Sequence, residues 1–273
     1  MNTIKVDSLK CSKCGICIKV CPAAIIEFGD SSYPEINPKR APYCVECGHC
    51  VLFCPESANS ISFMKDDDLV PVSSLELPSA EAGLNLLKTR RSIRRFKQEA
   101  LPCDVVDKIF DTVKMAPTAC NDQPVRWIFS ADPEKTKEIT NLILCWMRGE
   151  IFKDPMSPLA LVGASMIAKA RDGEDGLLRG APHAALAVVP KSHRWPEDGS
   201  IALTYLELAA HSLGVGACWG GFLTMAVRGS EDLRKYLGIG DGEHLCGAQM
   251  IGWPVLKPVR QFAPRKELSV TKL

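Results

Sequence analysis

The sequence lacks an excess of charge of either sign: 33 Lys and Arg stand against 32 Asp and Glu, a formal net charge of +1 over 273 residues. A nucleic-acid or anionic-membrane partner would demand a basic surplus, so neither is expected. Met1-Asn2-Thr3-Ile4-Lys5 has no apolar h-region, which predicts a cytoplasmic protein. A membrane span is not expected either. The apolar stretch 201–223 contains Glu207 and His211 and is broken by Gly214, Gly216, Gly220 and Gly221, and so reads as a buried helix followed by a glycine-rich turn. No catalytic triad or obvious acid–base pair emerges. Glu207 and His211 share a helix face at i,i+4 spacing, but a satisfied buried pair at a subunit contact is favoured over a proton relay. His183, after Gly180-Ala181-Pro182, is read as structural.

What the chain does have is cysteine, 13 in all, eight of them in one spelling written twice. Cys11-x2-Cys14-x2-Cys17-x3-Cys21-Pro22 recurs as Cys44-x2-Cys47-x2-Cys50-x3-Cys54-Pro55, an offset of 33 residues. Structural zinc closes with four ligands and leaves the third cysteine and the Cys-Pro unexplained. Disulfides are disfavoured in a reducing compartment. The spacing resembles that of two-cluster bacterial ferredoxins, in which the Cys before Pro ligates the other cluster. It implies one [4Fe–4S] cluster on Cys11, Cys14, Cys17 and Cys54, and a second on Cys44, Cys47, Cys50 and Cys21. Ile25-Ile26-Glu27-Phe28 returns loosely as Ser60-Ile61-Ser62-Phe63, so loop, short helix and strand are expected twice. His49, inside the second loop, either donates to cluster sulfur or faces solvent. The five scattered thiols, Cys103, Cys120, Cys145, Cys218 and Cys246, are read as packing residues.

Two domains are expected from this length. Residues 1–63 form a small ferredoxin-like domain whose clusters serve as its core, since so short a segment buries little apolar surface. Its six basic and six acidic residues suit a module wired to its own partner rather than a free shuttle. Residues 64–80, with Lys65-Asp66-Asp67-Asp68, Pro71, Ser73-Ser74 and Pro78-Ser79, form a linker, and 81–273 a second domain. Helices are predicted over 81–90, from Pro102 to before Pro117, after Asp132-Pro133, and over Ser200–Leu213, the last apolar on nearly every side. Ala185–Val189 and Gly247–Ile251 read as strands. Strands alternating with longer helices make the second domain α/β or α+β, and the chain as a whole is read as α+β.

Arg90, Arg91, Arg94, Arg95 and Lys97 crowd around Ser92, an arrangement that suits an anionic phosphate, with a solvated basic turn as the other reading of the segment by itself. Met115 to Pro124 is a polar loop whose Asn121 and Gln123 each offer a donor and an acceptor, which suits the uracil-like edge of a flavin. In these segments the chain resembles the FMN-dependent nitroreductase family over about residues 82–273, which implies an α/β sandwich domain that dimerises. The resemblance implies that Arg90, Arg91, Ser92 and Arg94 meet the phosphate and pyrimidine side of FMN. It implies also that Asn121 and Gln123 meet the ring or ribityl chain, and that Pro117, Thr118 and Ala119 come from the other subunit of a homodimer with FMN at its interface. Gly220 and Gly221 would present backbone N–H groups to flavin N5 and O4, and Arg265 and Lys266, after Pro264, would return to the phosphate. Two departures stand out: Val125-Arg126-Trp127 follows Gln123-Pro124 where the family often has Trp directly, and Ala119 replaces a hydroxyl. The implied function is that of an FMN-dependent oxidoreductase passing electrons between two [4Fe–4S] clusters and FMN, with hydride from flavin N5 reducing a nitro compound, quinone or activated alkene. The external donor is a reduced ferredoxin or NAD(P)H. The alternatives are an electron-transfer or redox-sensing component exchanging electrons with protein partners, or NAD(P)H oxidation at the flavin feeding the clusters.

Overall fold

The computed structural model describes residues 3–65, 67, 69–260 and 265–273. Met1, Asn2, Asp66, Asp68 and Pro264, which figure in the expectations above, lie outside the described residues. The chain divides into two units, Met1–Leu77 with Cys120–Asp122, and Pro78–Ala119 with Gln123–Leu273.

In the first unit the strands are β1 (Ile4–Val6), β2 (Ile26–Phe28), β3 (Pro34–Ile36) and β4 (Asn59–Ile61), with two single-turn helices, α1 (Ile16–Lys19) and α2 (His49–Leu52). β1 pairs antiparallel with β4 and β2 with β3. The duplication extends to the backbone. Lys13 and Glu46, Gly15 and Gly48, and Ala24 and Ser57 all take positive φ, between 46° and 71°. Each pair is separated by the repeat distance. Gly15 and Gly48 occupy the residue that opens α1 and α2, where a left-handed turn is easiest without a Cβ. β2 and β4 are also related by that offset, so Ile26 corresponds to Asn59. This corrects the looser match of 25–28 with 60–63. Ile25, Ile26, Val51 and Ile61 pack with Cys17 and Cys50 in a small core.

The second unit opens with α3 (Ala80–Thr89), capped by Ser79 Oγ accepting from Ala82 N, and α4 (Cys103–Val113). There follow β5 (Arg126–Phe129), α5 (Pro133–Lys153), α6 (Pro158–Arg171), β6 (His183–Pro190), α7 (Glu197–Ser212), β7 (Gly216–Trp219), α8 (Gly221–Gly229), α9 (Glu231–Tyr236) and β8 (Glu243–Gly252). The strands form one antiparallel sheet in the order β5-β6-β8-β7. On one face Leu186, Val188 and Met250 pack with Ile139, Ile143 and Met147 of α5 and Leu223 and Val227 of α8. On the other, Ala185, Ala217 and Ile251 pack with Ile109 of α4 and Leu206 and Ala210 of α7. With both faces covered, β6 is buried at seven successive residues, which explains its unbroken apolar run. The sandwich is thus α+β with an antiparallel sheet. Ile201 and Thr204 on α7, and Leu213 just after it, are exposed within the single chain. Among the described residues no helix is long and apolar enough to cross a membrane.

His183 is structural. Its Nδ1 faces Ser130 O at 2.8 Å, its Nε2 accepts from Leu101 N at 2.8 Å, and its ring stacks on Phe129. Burial holds its pKa below the ordinary imidazole value. The unfolded chain therefore takes up this proton first, and the stability contributed by the neutral ring is present above about pH 6.5 and lost as pH falls below it. Thermal unfolding of this unit should show a steeper loss between about pH 7.5 and about pH 5.5 for the wild type than for His183→Gln. Equal slopes would contradict that role.

Candidate functional site

The eight motif cysteines gather into two cavities. One is lined by Cys11, Cys14, Cys17 and Cys54, the other by Cys44, Cys47, Cys50 and Cys21. The fourth cysteine of each repeat has thus crossed to the other repeat's cavity. Burial, with the neighbouring Cys47, Cys44 and Cys21, pushes the Cys50 thiol up to about 11. Burial likewise raises Cys17, opposed by a hydrogen bond from Asn59. Four such thiols bear full negative charge together only around a strongly electropositive core. Among the described residues no three His, Cys, Asp or Glu converge as a single metal ion needs. Sulfurs spread around a cavity suit the corners of a cubane, whereas zinc draws its ligands to one point at about 2.3 Å. His49 is exposed and sets its ring edge-on to Phe53.

In the second unit the basic segment runs alongside β7 and the end of β8. Ile93 N donates to Ala217 O, Lys97 N to Trp253 O, and Val255 N to Arg95 O. Gly216 permits this approach, since a Cβ there would lie 2.8 Å from Ile93 Cγ1. Arg90 NH1 donates to Glu207 Oε1 at 2.9 Å, and Glu207 is buried. Cys218 shows what gathers around it. Burial raises its thiol pKa, while Arg94, Arg179 and a hydrogen bond with Ser92 lower it. Arg179, which sequence reasoning missed, sits at positive φ of 61° just before Gly180. Arg90, Ser92, Arg94 and Arg179 thus form a cationic group about β7. Arg91 leaves it: its NH1 donates to Lys88 O and Arg90 O, and it lines a separate cavity with Ile93, His211 and Gly216. The expected i,i+4 pair is also divided, with His211 Nε2 within 3.0 Å of Thr89 Oγ1 while Glu207 serves Arg90. Burial and the Arg90 charge lower the His211 pKa.

The loop after Pro117 is strained, with Cys120, Asn121 and Gln123 all at positive φ. Such strain persists where surrounding contacts hold it and concentrates at functional sites. Thr118 Oγ1 accepts from Gln123 N, and Ala119 N donates to both carboxylate oxygens of Asp198, at 3.2 and 3.1 Å. Asp198, also missed from sequence, is buried in the first turn of α7 and takes a further hydrogen bond from His193 Nε2. Asn121 groups with the first unit, its Nδ2 donating to Val45 O and Glu46 O. Gly220 does not offer its N–H as expected, because it donates to Ala248 O at 2.8 Å. Gly221 heads α8, with no atom within 4 Å of where a Cβ would stand. Gln249, opposite Trp219, is fully buried, and its Oε1 has no partner among the described residues. Arg265 and Lys266 are exposed. Arg126, at the site of the departure noted above, forms a two-pronged ion pair with Glu243, and Trp127 packs edge-on against Phe110, so both serve the sheet. Of the scattered thiols only Cys218 is buried. Cys246 is half-buried and Cys103, Cys120 and Cys145 are exposed, which corrects the packing role assigned to those three.

Because Asp198 is buried with two charge-assisted contacts, Asp198→Ala should cost about 3 kcal/mol, read as a lowered unfolding midpoint. Asp198→Asn, which keeps an acceptor for Ala119 N–H, should cost less. An unchanged midpoint for Asp198→Ala would contradict the clamp.

Residues 10–59 match the 4Fe-4S dicluster domain and residues 87–253 match the nitroreductase family. A Methanothermobacter thermautotrophicus protein named "Putative NADH dehydrogenase/NAD(P)H nitroreductase" is 29% identical over 177 residues, 64% of this chain and 78% of that protein. A nitroreductase with bound FMN from Desulfitobacterium hafniense superposes with a TM-score of 0.55 at 22% identity, covering 69% of this chain and 97% of that one. One with bound FMN from Bacteroides fragilis gives 0.53 at 21% identity, over 69% and 94%. With the family match spanning more than half of its length, this chain belongs to the nitroreductase family, an oxidoreductase family, and carries a 4Fe-4S dicluster domain ahead of its nitroreductase domain.

Proposed function

We propose that this protein is an iron–sulfur flavoprotein that takes single electrons from an external donor through two [4Fe–4S] clusters and uses FMN to reduce a small organic acceptor. The acceptor classes are nitro compounds, quinones and activated alkenes. The observation that carries this reading is that two four-cysteine cavities and a nitroreductase unit occupy one chain. When bound, FMN supplies the conversion between one-electron and hydride chemistry. One cavity would hold a cluster on Cys11, Cys14, Cys17 and Cys54, and the other on Cys44, Cys47, Cys50 and Cys21.

The second unit suits FMN in the chemistry of its side chains. Ser92, Arg94 and Arg179 offer a hydroxyl and two guanidinium forks to a phosphate, and Glu207 fixes Arg90 beside them. The start of α8 at Gly221 leaves open space, and helix N-terminal amides favour electron-rich atoms. Asp198 orients Ala119, and Thr118 braces Gln123, so the loop is held in shape before any ligand arrives. Pro117, Thr118 and Ala119 are assigned to the FMN of the partner in a homodimer, with Arg265 and Lys266 returning toward the phosphate. The apolar side chains of Ile201, Leu213 and Trp219, each more than a third exposed in the single chain, suit burial in that dimer.

A second reading has NAD(P)H as donor, supported by the names of the curated relatives. Anaerobic assays with reduced ferredoxin and with NAD(P)H, each with a nitroaromatic acceptor, separate the two. Product with either donor supports an enzyme, whereas electron equilibration without product would favour a carrier. Arg94→Ala should weaken FMN retention about tenfold or more, the usual scale for a charge-assisted hydrogen bond, with iron content unchanged. Joint loss of iron and FMN would count against separate modules. Light scattering should show a dimer, and a stable FMN-loaded monomer would overturn the shared site.

A further inference from the structure

The two cluster cavities are built by one repeated backbone, so residues 33 apart can be compared directly. At the cavity of Cys44, Cys47, Cys50 and Cys21 the first residue of β2, Ile26, contributes an apolar wall. At the cavity of Cys11, Cys14, Cys17 and Cys54 the equivalent residue, first in β4, is Asn59. Its side chain is buried, at 7% exposure. Nδ2 donates to Cys50 O at 2.8 Å, and the side chain lines the cavity together with Cys17. Oδ1 has no partner among the described residues. An unmatched buried polar atom is destabilising, and the other repeat avoids that cost by using Ile26. The structural return is small, since Ile26 fills the same place in the same backbone. The electronic return is specific, because a hydrogen bond to cluster sulfur stabilises the extra negative charge of the reduced cluster and raises its potential.

We propose that Asn59 raises the reduction potential of the cluster on Cys11, Cys14, Cys17 and Cys54 above that of its twin, so that an electron entering the pair rests on that cluster first. The inference rests on the two-cluster reading given above. Each cluster takes one electron from the external donor and returns it, and no bond of the protein is made or broken. Three other equivalent positions that line both cavities differ. Ser12 answers Val45, Glu56 answers Ala23, and His49 answers Ile16. All three polar members are exposed, where water and salt screen them, and all are common to the variants compared below.

The test is an anaerobic potentiometric titration of the full-length protein followed by electron paramagnetic resonance, with iron and sulfide counted on each sample. Wild-type protein should show two one-electron steps at unequal potentials. Asn59→Ile should lower the upper step so that the ratio of reduced to oxidised cluster at a fixed potential falls about tenfold, about 59 mV for one electron. The lower step and the iron content should stay in place. The reciprocal Ile26→Asn should raise the lower step. Unmoved steps in Asn59→Ile, or movement of the lower one, would overturn the proposal. Should Asn59→Ile lose its iron, Ile26→Asn decides, and failure of its lower step to rise overturns it. Wild-type protein without iron and sulfide would remove the two-cluster reading and this inference together, whereas iron present at two equal, immovable potentials removes this inference alone.

Discussion

Four thiols lining each of two small cavities constrain everything in the first unit. The two buried ones are hard to ionise: burial raises Cys17, and Cys50 is pushed up to about 11 by burial and by Cys47, Cys44 and Cys21. The apolar core there is small, a few isoleucines and a valine around Cys17 and Cys50. Such a unit gains its stability when a cationic inorganic core lets the thiols become thiolates, so ligand binding and folding are one equilibrium. The repeated left-handed turns at Lys13 and Gly15, and again at Glu46 and Gly48, are the backbone's contribution, because they lie inside the loops that bring three sulfurs to each cavity.

The second unit answers a different constraint, the gathering of cations without mutual repulsion. Glu207, buried on α7, neutralises Arg90, and extended chain beside β7 spaces Ser92 and Arg94 near Cys218, with Arg179 arriving from the loop before β6. α7 therefore does two things at once. Its apolar residues cover one face of the sheet, and its two buried acids, Asp198 and Glu207, hold the loop at Ala119 and the arginine at 90. Ile201 on α7, and Leu213 just past its end, face solvent in the single chain.

The division of the eight cysteines into two sets was legible from their spacing read through its resemblance to two-cluster ferredoxins, and the two cavities group them the same way. α3, α4, α5, α7, β6 and β8 were legible from apolar periodicity and from caps such as Asp132, whose Oδ1 accepts from Glu134 N. β5 and β7 were not, since four-residue strands inside polar or glycine-rich stretches carry little pattern, and α6 was hidden by its many small residues. Partners far apart in sequence were invisible as well. Asp198 meets Ala119 from 79 residues away and Arg90 meets Glu207 across 117. Asn59 lay between these cases: the repeat offset marked it as the counterpart of an isoleucine, but only its burial and its unmatched Oδ1 give that difference meaning.

The central claim is that thiolate-bound clusters and FMN share this polypeptide. Quantifying iron, acid-labile sulfide and flavin in anaerobically isolated protein tests it most directly. The account predicts about eight iron and eight sulfide per chain, with about one FMN. Colourless protein, or zinc without sulfide in the cysteine-rich unit, would contradict it.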